Sequence, residues 1–108
     1  MDILVIALAV VFVVSGLSKA SGNAKGLSGT RDVNVPDLLA RLIGLVETAA
    51  ALGLLLGLKY SWMLWAPLMT LWLIMAGAIY FHFRADKAKT SFPAFFLLTL
   101  ISIALVTI

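Results

Sequence analysis

Arg41-Leu42-Ile43-Gly44-Leu45-Val46-Glu47-Thr48 lies at the start of a long apolar run, Leu38 to Leu58, and carries a full carboxylate into it. Crossing a bilayer as one helix takes about 20 apolar residues, so this run reads as a membrane span. Glu47 lies about nine residues in, roughly 14 Å along the axis at 1.5 Å per residue. That depth is close to the hydrocarbon midplane, where a lone charge costs at least ~2.5 kcal/mol. An acid placed there needs a partner, a proton or a water-filled cavity.

The rest of the chain fits the same solvent. Of its 108 residues 63% are apolar and 12% charged, against about 25% charged in a soluble domain. The polar residues are clustered and leave four apolar runs, at approximately 3–18, 37–58, 62–83 and 92–108. Residues 1–108 therefore read as a single domain, an all-α integral membrane antiparallel four-helix bundle. The start, Met1-Asp2-Ile3, lacks the positive region of a secretory signal and reads as a retained first span. With no Cys there is no disulfide framework, thiolate chemistry or iron–sulfur ligation. One His cannot by itself build a metal site, and no metal is expected. The net charge of +3 is not a nucleic-acid signal, because the basic residues flank spans, where they set topology.

The second span has two faces. At about 100° per residue, Ala40, Gly44, Glu47, Ala51 and Leu54 form one stripe. Ala49, Gly53 and Gly57 lie almost opposite, as a small-residue ridge that lets helices approach closely. That ridge packs against another span or against another copy of the chain, which makes a homodimer through Gly53 and Gly57 one expectation. Before this span, residues 20–37 form the longest polar segment and are turn-rich. They read either as a lid over the bundle mouth or as a plain connector. In the third span Pro67 kinks the helix if it starts at Trp62, and not if it starts near Pro67. Ser91-Phe92-Pro93 reads as the cap and first turn of the fourth span, whose Thr99 and Ser102 are expected to bond to their own helix.

In an up-down bundle the first and third connections share one end. Lys19, Arg41, His82 and Arg84 then gather at one mouth, with Glu47 deeper. Arg41 is badly placed on the wheel to pair with Glu47 along one helix, and Lys19 has the longer reach. Ser15 shares a face with Lys19 four residues away. It joins an internal polar cluster or bonds back to its own helix. The expectation is an ionised Glu47 held by Lys19 or Arg41, with His82 as the residue type that changes charge near neutral pH. The plain alternative is that this pairing only closes the bundle.

Phe12 through Lys19 (an F-x-x-S-G-x-x-K pattern), Arg41-x-x-Gly44-x-x-Glu47, the Ala/Gly/Leu run to Gly57 and His82 closing the third span occur together in this order. In these features the chain resembles the DoxX-like family of small four-span membrane proteins. That family includes a subunit of an archaeal thiosulfate:quinone oxidoreductase, proteins linked to redox stress, and a vertebrate relative similar to a chaperone for nicotinic receptors. The resemblance implies a shared polar, ligand-binding site at Ser15, Lys19, Arg41, Glu47 and His82, with no residue assigned as catalytic.

Three functions are compatible with these features. The first is an accessory or subunit protein binding a lipophilic ligand such as a quinone near Glu47, with electrons supplied by a partner redox subunit or a dissolved flavin. The second is a small proton-coupled exporter acting as a homodimer. Small multidrug transporters share the length and the single embedded Glu, but theirs lies in the first span. The third is a membrane-protein assembly factor or chaperone docking through Gly53 and Gly57. The positive-inside rule puts the basic loops in the cytoplasm and both termini outside, in a prokaryotic inner membrane.

Overall fold

The computed structural model describes residues 2–108. Its helices are α1 (Asp2–Ala20), α2 (Ala24–Asp32), α3 (Asp37–Gly57), α4 (Trp65–Arg84) and α5 (Phe92–Thr107), with short 3-10 turns at Ser61–Leu64 and Ala88–Ser91. Four stretches, Asp2–Ala20, Asp37–Gly57, Ser61–Arg84 and Ala88–Thr107, are long and apolar enough to cross a membrane. The molecule is 38 Å in its longest dimension, enough for a hydrocarbon core of about 30 Å. Outward-facing residues such as Val14, Leu45, Leu56 and Phe96 are exposed. Such a continuous apolar exterior suits lipid and not water.

The four long helices form a ring in the order α1, α3, α4, α5 and back to α1. Phe12 of α1, Leu54 of α3, Leu68 and Leu71 of α4 and Ile101 of α5 fill its centre. The stripe Ala40, Gly44, Glu47, Ala51 and Leu54 is buried along its whole length, as the wheel requires. α1 packs along α3 more extensively than any other pair. The reason is a glycine on each side. A Cβ on Gly16 would stand 2.6 Å from the Gly44 carbonyl oxygen, and one on Gly44 would stand 2.6 Å from the Gly16 carbonyl oxygen. The two backbones touch at that point, which only residues without side chains permit.

Gly53 and Gly57 are used inside the chain. A Cβ at Gly53 would lie 3.3 Å from Pro67, and one at Gly57 would overlap Leu64. The small-residue ridge therefore seats the start of α4 against α3. Pro67 falls in the first turn of α4, where its missing N–H is one that the helix leaves unbonded anyway. No kink is needed.

Residues 20–37 hold a helix that their glycines and polarity did not announce. Asn23 caps α2, its side chain accepting from the Lys25 N–H at 2.8 Å. Leu27 is buried with Val33, Val35 and Ala40, and Phe81 and Ala85 pack on that cluster. The helix ends in a Schellman turn. Asn34 is left-handed at φ 64, Asn34 N–H bonds to Arg31 O at 3.1 Å and Val35 N–H to Thr30 O at 2.9 Å. Two ion pairs brace it: Arg31 to Asp37 at 2.9 Å, and Asp32 to Lys87 at 2.7 Å. The hydrogen bond and the charge of Asp37 raise the pKa of Arg31. A cation whose pKa rises on folding contributes stability at all pH below its unfolded value, far above neutral, so this brace does not switch in the physiological range.

Thr99 and Ser102 bond back to Phe95 O at 2.9 Å and Leu98 O at 2.8 Å, as expected. Ser102 also accepts from Trp72 Nε1 at 3.1 Å, joining α4 to α5. Interhelical side-chain bonds in membranes average about 0.6 kcal/mol. Trp72→Phe is therefore expected to lower stability by roughly 0.5–1 kcal/mol in a denaturant titration in detergent, with the fold kept.

Candidate functional site

Glu47 is fully buried, and its Oε1 accepts from Lys19 Nζ at 2.7 Å. The pairing follows from helix direction. Side chains lean toward the N-terminus of their own helix, and α1 and α3 run antiparallel. Lys19, three residues beyond Gly16, leans into the membrane; Glu47, three beyond Gly44, leans toward the mouth. The glycine contact sets the two helices close enough for the side chains to meet midway. The Lys19 side chain is 19% exposed, so the cation faces open space and the anion does not. Glu47 Oε2 has no hydrogen-bond partner among the described residues.

Two cavities lie on either side of Lys19 and His82. The first, about 410 Å³, is walled by Leu39 and Ile43 of α3, Leu73, Gly77, Ala78 and Phe81 of α4, and roofed by Gly26, Gly29 and Thr30 of α2 with Val33 just after it. At the other end of this helix pair Gly53 lies close to Pro67. Its size is within the range of about 300–1,000 Å³ usual for ligand sites. The second, about 620 Å³, is a more open vestibule lined by Phe12, Ser15, Ser28, Thr90 and Pro93 as well as Lys19 and His82. Glu47 lines neither.

His82 is held by the turn that follows it. Asp86 is left-handed at φ 58; Asp86 N–H bonds to Phe83 O and Lys87 N–H to His82 O at 2.8 Å, a second Schellman turn. The chain returns so that Thr90 Oγ1 lies 2.7 Å from His82 Nδ1. Thr90 Oγ1 also lies 2.8 Å from Lys87 O, to which its hydroxyl donates, and in that arrangement its oxygen accepts from Nδ1. The tautomer with the proton on Nδ1 leaves Nε2 as an acceptor, with no hydrogen bond among the described residues.

The five expected site residues separate into groups. Lys19 and His82 border both cavities, Ser15 faces the vestibule only, and Glu47 stands behind Lys19 as its counter-charge. Arg41 is turned away: its Nε donates to Ala20 O at 3.1 Å and caps the end of α1. Arg84 lies over the Phe81 ring at 5.9 Å. Thr90, Gly29 and Gly77 also line the site; in the sequence Gly29 reads as part of a turn-rich segment and Gly77 as a close-packing residue, and nothing local marks Thr90. No group of His, Cys, Asp and Glu suited to a metal occurs among the described residues.

A family model described as the DoxX-like family matches residues 3–104. The chain belongs to the DoxX-like family. No curated protein and no solved structure matches it. In this DoxX-like protein the F-x-x-S-G-x-x-K and R-x-x-G-x-x-E patterns acquire a physical meaning. The glycine of each makes the α1–α3 contact, the Lys and Glu make the buried pair, and the Arg caps the partner helix.

Proposed function

We propose that this protein is an accessory or subunit protein that holds a lipophilic carbonyl compound of the quinone type in the cleft between α3 and α4. One observation carries the reading. Lys19 has three N–H donors, gives one to Glu47, and lines a mainly apolar cavity. Its charge is already balanced by Glu47, so the cleft favours a neutral acceptor oxygen over an anion. His82 Nε2 can accept the hydroxyl proton of the reduced form. Electrons are passed to or from a redox partner protein. The small-residue ridge on which an assembly factor or a homodimer would dock is occupied by Pro67 and Leu64.

Protein extracted in mild detergent is expected to carry quinone at close to one equivalent by mass spectrometry, and His82→Ala to carry several-fold less. Quinone at no more than the background of the solubilised membrane would overturn the reading.

The proposal also places the α2 end of the bundle in the cytoplasm of a prokaryotic inner membrane. Lys25, Arg31, Arg84, Lys87 and Lys89 lie at that end, with Lys59 at the other. Reporters active only in the cytoplasm should be silent at either terminus and bright when inserted near Asp86.

A further inference from the structure

The first cavity has two flanks of opposite character. Toward the aqueous mouth it is roofed by α2, which is anchored by buried Leu27 and by the Asp32–Lys87 and Arg31–Asp37 pairs. Lifting that roof separates both pairs and exposes Leu27, Val33 and Val35 to water. Toward lipid there is no such cover. Leu39 and Leu73, which wall the cavity, are 40% and 61% exposed on the apolar outer surface of two membrane-length helices. Gly77, one turn from Leu73 on α4 and also in the lining, has no side chain, and a Cβ built there meets nothing within 4 Å.

We infer that the cleft between α3 and α4 is a lateral portal, and that Gly77 determines which molecules pass it. The class admitted is a membrane-dissolved compound with a flat, unbranched body and a carbonyl or hydroxyl head, which arrives from the acyl chains and not from water. The inference rests on the quinone-type reading of the cleft and adds its route and its selectivity residue. A compound already partitioned into lipid reaches Lys19 by sliding past the bare backbone at Gly77, with no ion pair broken. Any side chain at this position would project into the passage.

The chain contains no cysteine, so Asp32→Cys and Lys87→Cys can be joined by a short bismaleimide to fix α2 in place. The probe is a photoreactive benzoquinone with a ten-carbon tail, presented in liposomes, with labelled residues mapped by mass spectrometry. Wild type should label at the cleft, and the cross-linked protein equally. Gly77→Phe should label at least tenfold less while its melting temperature in detergent is unchanged or higher, since the helix loses a glycine. Gly77→Leu serves as a second variant with the same expected direction. Undiminished labelling of both Gly77 variants, or a tenfold loss on cross-linking, overturns the portal while leaving the quinone-type reading intact. A wild type that labels nowhere in the cleft overturns both.

Discussion

Lys19→Met is expected to cost about 3–5 kcal/mol of stability in detergent, the range measured when one partner of a buried ion pair is removed. Without Lys19 the Glu47 carboxylate is left wholly out of water with neither oxygen bonded, since Oε2 already lacks a partner. Glu47→Gln should cost less, toward the lower end of that range, because the Lys19 side chain retains some exposure and can turn toward the vestibule. The double variant Lys19→Met/Glu47→Leu should recover most of the loss, since apolar replacement of a whole buried pair is often neutral or better. Reversible denaturant titrations of the three variants measure this. A Lys19→Met protein within about 1 kcal/mol of wild type would mean the pair is not the structural hub.

Gly44→Leu should be the most damaging single change in α3. Overpacking a filled interface costs about 1–3 kcal/mol where side chains can yield. Here the obstruction is the backbone of α1 at Gly16 and Ala20 together with the Lys19 Cβ, so the helices must separate. Separation also stretches the 2.7 Å Lys19–Glu47 contact. The combined loss should exceed that of Leu45→Ala, a control on the exposed face of the same helix. Equal stabilities of Gly44→Leu and that control would show that the glycine contact does not hold α1 to α3.

The features legible in the sequence were those governed by a single helix. Four apolar runs give four spans, and the 100° wheel places Glu47 on the buried stripe with Gly44 and Ala51. Reach along the helices leaves Lys19 or Arg41 as its partner, and the structure selects Lys19. The features that were not legible depend on distances between helices. Ala49, Gly53 and Gly57 stood out as a ridge, yet the closest backbone contact involves Gly16 and Gly44. Arg41 read as a site residue because its position near Glu47 is a matter of sequence, whereas its contact with Ala20 is a matter of how α1 ends. α2 was hidden because Gly26 and Gly29 have poor helix propensity. It forms through its Asn23 cap and the burial of Leu27, which is a tertiary effect. The cleft is lined jointly by residues of α2, α3 and α4, an arrangement that no local pattern encodes.

The contact of Gly16 with Gly44 bears on how the chain assembles in the bilayer. Hydrocarbon does not distinguish one alignment of two apolar helices from another, and α1 and α3 are apolar along most of their lengths. A slip of one turn would shift them by about 5.4 Å, with little change in lipid-facing area. It would also set the glycines against side chains and leave Lys19 and Glu47 without each other. Shape and charge thus reject the same wrong alignments. The Lys19–Glu47 pair, set by the same glycine contact, marks the register of α1 on α3 as well as bordering the site.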